Sequence, residues 1–220
     1  MGPISPIIVV LALCVAGCYG PERSREHVPK TQAIECARQA TIEAEAGNLD
    51  EALRLFDDAI AADPKYTLPY KSKAAVLGTL QRYEDAVETL MQAIKHDPHD
   101  ADAYLAQGIF LELADRKAEA RVCYATALDK YEAMPERPET DLDRRLARVQ
   151  VLYLLRGRTE ALKAINEVLE KYPENELARA HKYRILADQR DAYLSRGLPI
   201  QSGAGASPGE GPSVPSESRD

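Results

Sequence analysis

Small and bulky apolar residues recur along the chain with a period of 34 residues. Ungapped superposition of 33–66, 67–100 and 101–134 aligns Ala52, Ala86 and Ala120, then Phe56, Leu90 and Tyr124, then Ala59, Ala93 and Ala127. Ile60, Ile94 or Leu128 follows that last alanine, and Pro64 falls on Pro98. Self-similarity at this length marks an array of stacked units. Within the central unit, Tyr70, Ala74 and Leu77 recur at helical spacing, as do Ala86, Leu90, Ala93 and Ile94 after a break at 81–83. Each unit is therefore expected to form two antiparallel helices. Ala74 and Ala86 let the backbones approach, while Tyr70, Leu77 and Leu90 fill the remaining space.

The pattern predicts helices at about 32–46 and 50–62, 68–81 and 83–96, and 101–114 and 117–133. Thr31 is the expected N-cap of the first, and Gly47 with Asn48 its stop. Pro69 is tolerable because the first helical turn has no intrahelical N–H bond to lose. In the third unit Glu132 replaces the expected proline, so its second helix should run on to Pro135, within a longer connector at 134–140. A degenerate unit at 142–175 carries Leu142, Leu146, Val149 and Tyr153, then Ala161, Ile165, Val168 and Pro173. Its hairpin turn is one residue shorter, and Gln150 occupies the usual small position. Residues 176–195 fit a solvent-facing capping helix, because no unit can bury its apolar face alone. The tail at 197–220, rich in Gly, Ser and Pro, is expected to be disordered.

At Tyr70, Ala74, Leu77, Ala86, Leu90, Ala93 and Pro98 the chain resembles the tetratricopeptide repeat. Lys73 stands where that family usually has an apolar residue, and Cys36 replaces the bulky opening residue of the first unit. The resemblance implies an all-α fold: a right-handed superhelix of helical hairpins with a C-terminal capping helix. It also implies a concave groove lined by the first helix of each unit. The corresponding residues are Ile34, Ala37, Thr41, Ala44 and Glu45, then Leu68, Lys71, Ala75, Gly78 and Thr79, then Asp102, Leu105, Ile109, Glu112 and Leu113. Leu68, Lys71, Ala75, Leu105, Ile109, Glu112 and Leu113 are the candidate peptide-binding set. A family branch clamps a terminal carboxylate with basic and amide side chains, but only Lys71 matches its pattern here. A mostly small and aliphatic floor suits an amphipathic helix or an extended apolar segment.

Composition narrows the chemistry. The chain has no tryptophan, two phenylalanines and a formal net charge of −7, which excludes the concentrated basic surface that nucleic acid requires. The nearest approach to a metal site is His96, Asp97, His99 and Asp100, but Pro98 turns the chain between them and no further imidazole or thiol is near. A polar inter-repeat turn with Asp97 and Asp100 as caps is the expected role. Cys36 and Cys123 lie two repeats apart on different helix types and are expected to be small fillers. No nucleophile with its base, and no glycine-rich phosphate loop, is present. Neither catalysis nor a metal or other cofactor is expected.

Met1 to Cys18 contains no charged side chain, and its apolar run from Ile7 to Gly17 is too short to span a bilayer. The ending Val15, Ala16, Gly17, Cys18 resembles a bacterial lipoprotein signal, implying removal of 1–17 and acylation of Cys18. Residues 18–31 would then be the anchor and tether, and 32–196 the repeat array. Tyr19 after the cysteine suggests the periplasmic face of the outer membrane. The expected function is a membrane-anchored adaptor in envelope assembly, of the pilus, secretion or outer-membrane biogenesis type. The alternatives are an accessory regulator recruiting a peptidoglycan hydrolase or protease, and a self-associating structural protein.

Overall fold

Alanine at the shared small positions and proline confined to first turns and junctions favour two uninterrupted helices per repeat. The computed structural model describes residues 28–135 and 140–187, and these residues form paired helices in chain order. The first unit holds α1 (Thr31–Glu45) and α2 (Leu49–Ala62), the second α3 (Leu68–Thr79) and α4 (Tyr83–His96). The third holds α5 (Ala101–Leu113) and α6 (Lys117–Ala133), the fourth α7 (Asp141–Arg156) and α8 (Arg158–Lys171). A last helix, α9 (Glu176–Leu186), packs on α8 and α7. The fold is an all-α array of helical hairpins ending in a capping helix.

Several helix ends differ from expectation for identifiable reasons. Thr31 is already helical, with Lys30 at the cap position and no side-chain cap bond. The chain leaves α3 at Thr79 because Gln81 takes a left-handed conformation, φ 58°. Asp115, at φ 61°, does the same beyond α5. Gly47, Gln81 and Asp115 are spaced at the 34-residue period, and each closes the first helix of its hairpin in one pattern. The next N–H reaches back to a carbonyl five residues earlier: Asn48 to Glu43 at 2.9 Å, Arg82 to Leu77 at 2.9 Å and Arg116 to Leu111 at 2.8 Å. This is the left-handed C-terminal motif in which a glycine is usual. α6 stops at Ala133 and does not continue to Pro135, because a residue preceding proline is pushed out of the helical region; Met134 is extended. The fourth hairpin turns on Gly157 alone, at φ 89°. The capping helix is described to Leu186, and the remainder of the expected 176–195 element lies outside the described residues, as do 1–27 and the tail.

Small positions let helices interlock between units, at Gly78, and within one, at Gly108. Gly78 and Gly108 each admit an aromatic ring: a Cβ at Gly78 would lie 2.3 Å from Phe110, and one at Gly108 would lie 2.5 Å from Tyr124. Tyr124 and Phe110 are consequently buried, at 0% and 2% exposure. One apolar cluster runs from Ala74 on α3 to Ile185 on α9, and a smaller one gathers Ala40, Ala44, Ala52, Phe56 and Val76. The inter-repeat turns share a second device. Asp63 accepts from Lys65 N at 3.2 Å and Asp97 accepts from His99 N at 3.0 Å, fixing the chain around Pro64 and Pro98.

A candidate protein-binding surface

First helices of successive units touch, α1 with α3 and α3 with α5, so they align along one side of the array. This brings the candidate groove residues into a row, in which they differ in what they expose. Ala75 and Leu105 are 3% and 4% exposed and belong to the core cluster. Leu68, Ile109, Glu112 and Leu113 are half-buried, with Ile109 and Leu113 also packed against that cluster. In the first unit Ala37 and Ala44 are buried, Thr41 is half-buried, and Ile34 and Glu45 are exposed. Cys18 lies outside the described residues.

The polar members of the row bond within the array. Lys71 is buried, and its Nζ donates to Asp100 Oδ2 at 2.6 Å. The other Asp100 oxygen caps α5, accepting from Asp102 N at 3.0 Å and Ala103 N at 3.1 Å. One carboxylate therefore satisfies a helix N-terminus and a lysine of the preceding unit together. Taking either partner away would strand the other in the interior at a cost of about 3–5 kcal/mol. Glu112 accepts from the Tyr124 hydroxyl at 2.9 Å, and the Tyr131 hydroxyl donates to Asp102. The result is a floor of half-buried aliphatic side chains in which Lys71 is neutralised by Asp100.

Lys73, the departure from the repeat pattern, works on another side. It crosses to Asp57 at 2.6 Å and borders a hollow of about 500 Å³ between the first two units, floored by Leu53, Ile60 and Leu77. Arg116 similarly joins Glu84 at 2.8 Å across the second and third units.

The fourth unit holds features that the pattern did not show. Asp141, 2% exposed, accepts from Lys171 at 2.6 Å, Arg145 at 2.7 Å, Arg144 at 2.9 Å and Tyr172 at 3.0 Å. Burial alone would raise its carboxyl, but these donors outweigh burial and hold it well below the usual carboxylate range. Asp141 is the first residue of α7, where Asp100 is the N-cap of α5, and the longer connector displaces it from the 34-residue register. His181 on α9 is fully buried, and burial with the nearby Arg184 lowers its pKa to about 3. Gln150 is 1% exposed, with no partner for its Oε1 among the described residues.

Cys36 and Cys123 are free and half-buried. The Cys123 thiol donates to Gln107 Oε1 at 3.3 Å, and burial with the Glu119 charge raises its pKa to about 11, so it stays protonated. Among the described residues, no group of three histidine, cysteine or acidic side chains is arranged to hold a metal, and no helix is long and apolar enough to cross a membrane. Asp97 and Asp100, flanking His99 in the stretch nearest to a metal motif, serve the turn and the α5 cap.

Residues 72–135 match the family model described as tetratricopeptide repeat. That stretch is built of tetratricopeptide repeats. A thermophilic TPR protein of Thermus thermophilus has the same fold, with a TM-score of 0.57 at 18% identity over 83% of this chain and 97% of that one. Human tetratricopeptide repeat protein 28 is 28% identical over 99 residues, 45% of this chain. Human tetratricopeptide repeat protein 7B is 29% identical over 98 residues, 44% of this chain. The chain spans only 4% and 12% of the length of those two relatives. Tetratricopeptide arrays are protein-binding scaffolds, in which stacking generates an extended concave surface.

Proposed function

We propose that this tetratricopeptide protein is a lipid-anchored adaptor that holds an amphipathic helix or extended apolar segment of a partner against its aligned first helices. The observation that carries this reading is the half-buried aliphatic row Leu68, Ile109 and Leu113, with Lys71 paired internally to Asp100. Such a surface recognises its ligand by shape and apolar pockets, and a free C-terminal carboxylate would find Lys71 already occupied. Anchoring is inferred from Met1 to Cys18, where a short apolar run ends in small residues and a cysteine. Acylation at Cys18 would place the array close to the periplasmic face of an outer membrane, where it would serve assembly of an envelope machine.

Two substitutions test the separate halves. Cys18→Ser should move the protein from the detergent phase to the aqueous phase in cells that process it; unchanged partitioning would remove the anchor from the proposal. Leu68→Glu should abolish partner crosslinking in intact cells while helical circular dichroism is preserved. Leu68 lies in the first turn of α3 and outside the main core, where a carboxylate is compatible with the helix N-terminus. Crosslinks retained by that variant would rule out this face.

A further inference from the structure

A repeat array ordinarily presents a polar outer face at its two ends, because a terminal unit has no neighbour to cover it. Here both ends carry exposed apolar side chains. On α1, Ile34 and Ile42 are 39% and 43% exposed; on α9, Tyr183 and Leu186 are 69% and 46% exposed. Helical geometry places Ile34, Arg38, Ile42 and Glu45 on one stripe of α1, and Arg179, Tyr183 and Leu186 on one stripe of α9. α1 packs on α2 and α3, and α9 on α8 and α7, and each stripe lies off those contacts, Ile34 and Glu45 also bordering the row of first helices.

The charges around these stripes are opposite. Glu35, Glu43 and Glu45 against Arg38 leave α1 with a net charge of −2. Arg179, Lys182 and Arg184 against Glu176 leave α9 with a net charge of +2, His181 being neutral. Internal pairing does not erase the contrast. Arg38 is matched by Glu35 at 2.5 Å and Arg179 by Glu174 at 2.7 Å; with these pairs counted, α1 keeps −2 and α9 with Glu174 keeps +1.

We propose that copies of this chain associate head to tail, with the α9 face of one docking on the α1 face of the next. Apolar contact drives the association, and charge sets its polarity: an α1–α1 or α9–α9 contact would bring like charges together. A contact between two different faces need not close on itself, so the product is an open row of arrays.

The test is sedimentation velocity on the full chain, in a non-ionic detergent common to all samples. The wild type should gain mass with concentration beyond a dimer, and should lose mass as salt is raised from about 50 to about 500 mM. Ile42→Lys and Tyr183→Glu each spoil one end and should each remain monomeric. Mixed in equal amounts, the two variants should form a dimer and stop there, since each supplies the intact end that the other lacks. If either variant loses its helical circular dichroism, Ile34→Lys or Leu186→Glu replaces it at the same end. A wild type monomeric at every concentration would overturn the proposal, as would assembly indifferent to both substitutions. A dimer that persists in one variant alone would do so too, since it would join two like faces or use another segment.

Discussion

At the residue scale, the tightest constraint is glycine at a helix crossing. Exchanging an interior helical glycine for alanine ordinarily gains about 1 kcal/mol in propensity. At Gly108 the new Cβ would fall 2.5 Å from the Tyr124 ring and 3.3 Å from the Ala120 carbonyl, and overpacking of this kind costs about 1–3 kcal/mol. Gly108→Ala should therefore lower the midpoint of urea unfolding; a rise would mean that Tyr124 moves aside cheaply. The small position at Ala74 and its departure at Gln150 were legible in the sequence, but the gap at Gly108 and the ring that enters it were not. Gln150 departs most from that pattern, placing a buried amide where its neighbours have almost no side chain. Lys71 shows the same limit from the other side. Its place on the aligned face was implied by the family resemblance, whereas its burial depends on Asp100 lying 29 residues away and 2.6 Å distant.

At the element scale, each hairpin closes through a residue in the left-handed region, and two of those residues carry a side chain. A non-glycine residue there costs about 1 kcal/mol. Gln81 and Asp115 are both exposed, so removing either side chain sacrifices no core contact. Gln81→Gly should stabilise the array by about 0.5–1 kcal/mol in urea unfolding, despite the greater freedom of glycine in the unfolded chain. An unchanged or lower midpoint would show that the turn holds Gln81 without strain. Gly47 announced this motif in sequence; Gln81 and Asp115, in the same register, did not, because their composition suggests an ordinary polar turn. The ends of α3 and α6 were misplaced for local reasons, the left-handed Gln81 and the influence of Pro135 on Met134.

At the scale of the whole molecule, the fourth unit and α9 make stability depend on acid. Free histidine binds a proton near pH 6.5, while buried His181 resists protonation down to about pH 3. Over that interval the unfolded chain holds the additional proton, so stability should fall as pH drops, by up to about 1.4 kcal/mol per pH unit. Asp141 is shifted in the same direction, a depressed carboxyl, so its contribution is complete above the ordinary carboxylate pKa and is lost as acid protonates it. The loss from His181 should therefore begin first, with Asp141 adding to it below about pH 4. His181→Gln should flatten the urea midpoint between pH 6 and pH 4 relative to wild type, values set by the free-histidine and carboxylate ranges of roughly 6.5 and 4. Parallel curves for the two proteins would mean that His181 is not the group responsible.

The sequence by itself determined the hairpin array, because a 34-residue recurrence of alanine and bulky apolar side chains leaves few other ways to bury them. Its resemblance to the tetratricopeptide repeat also assigned Leu68, Lys71 and Ile109 to one aligned face, since the family's positions carry over by local register. Tertiary structure alone decided which members of that face remain open to a partner. Burial of Leu105, the Lys71–Asp100 pair and the bonds from Lys171 and Tyr172 to Asp141 all depend on distant elements meeting in space, about 30 residues apart for the two polar sets. Spacing within one repeat carries no signal of such meetings, because the crossing of one helix against the next unit decides them.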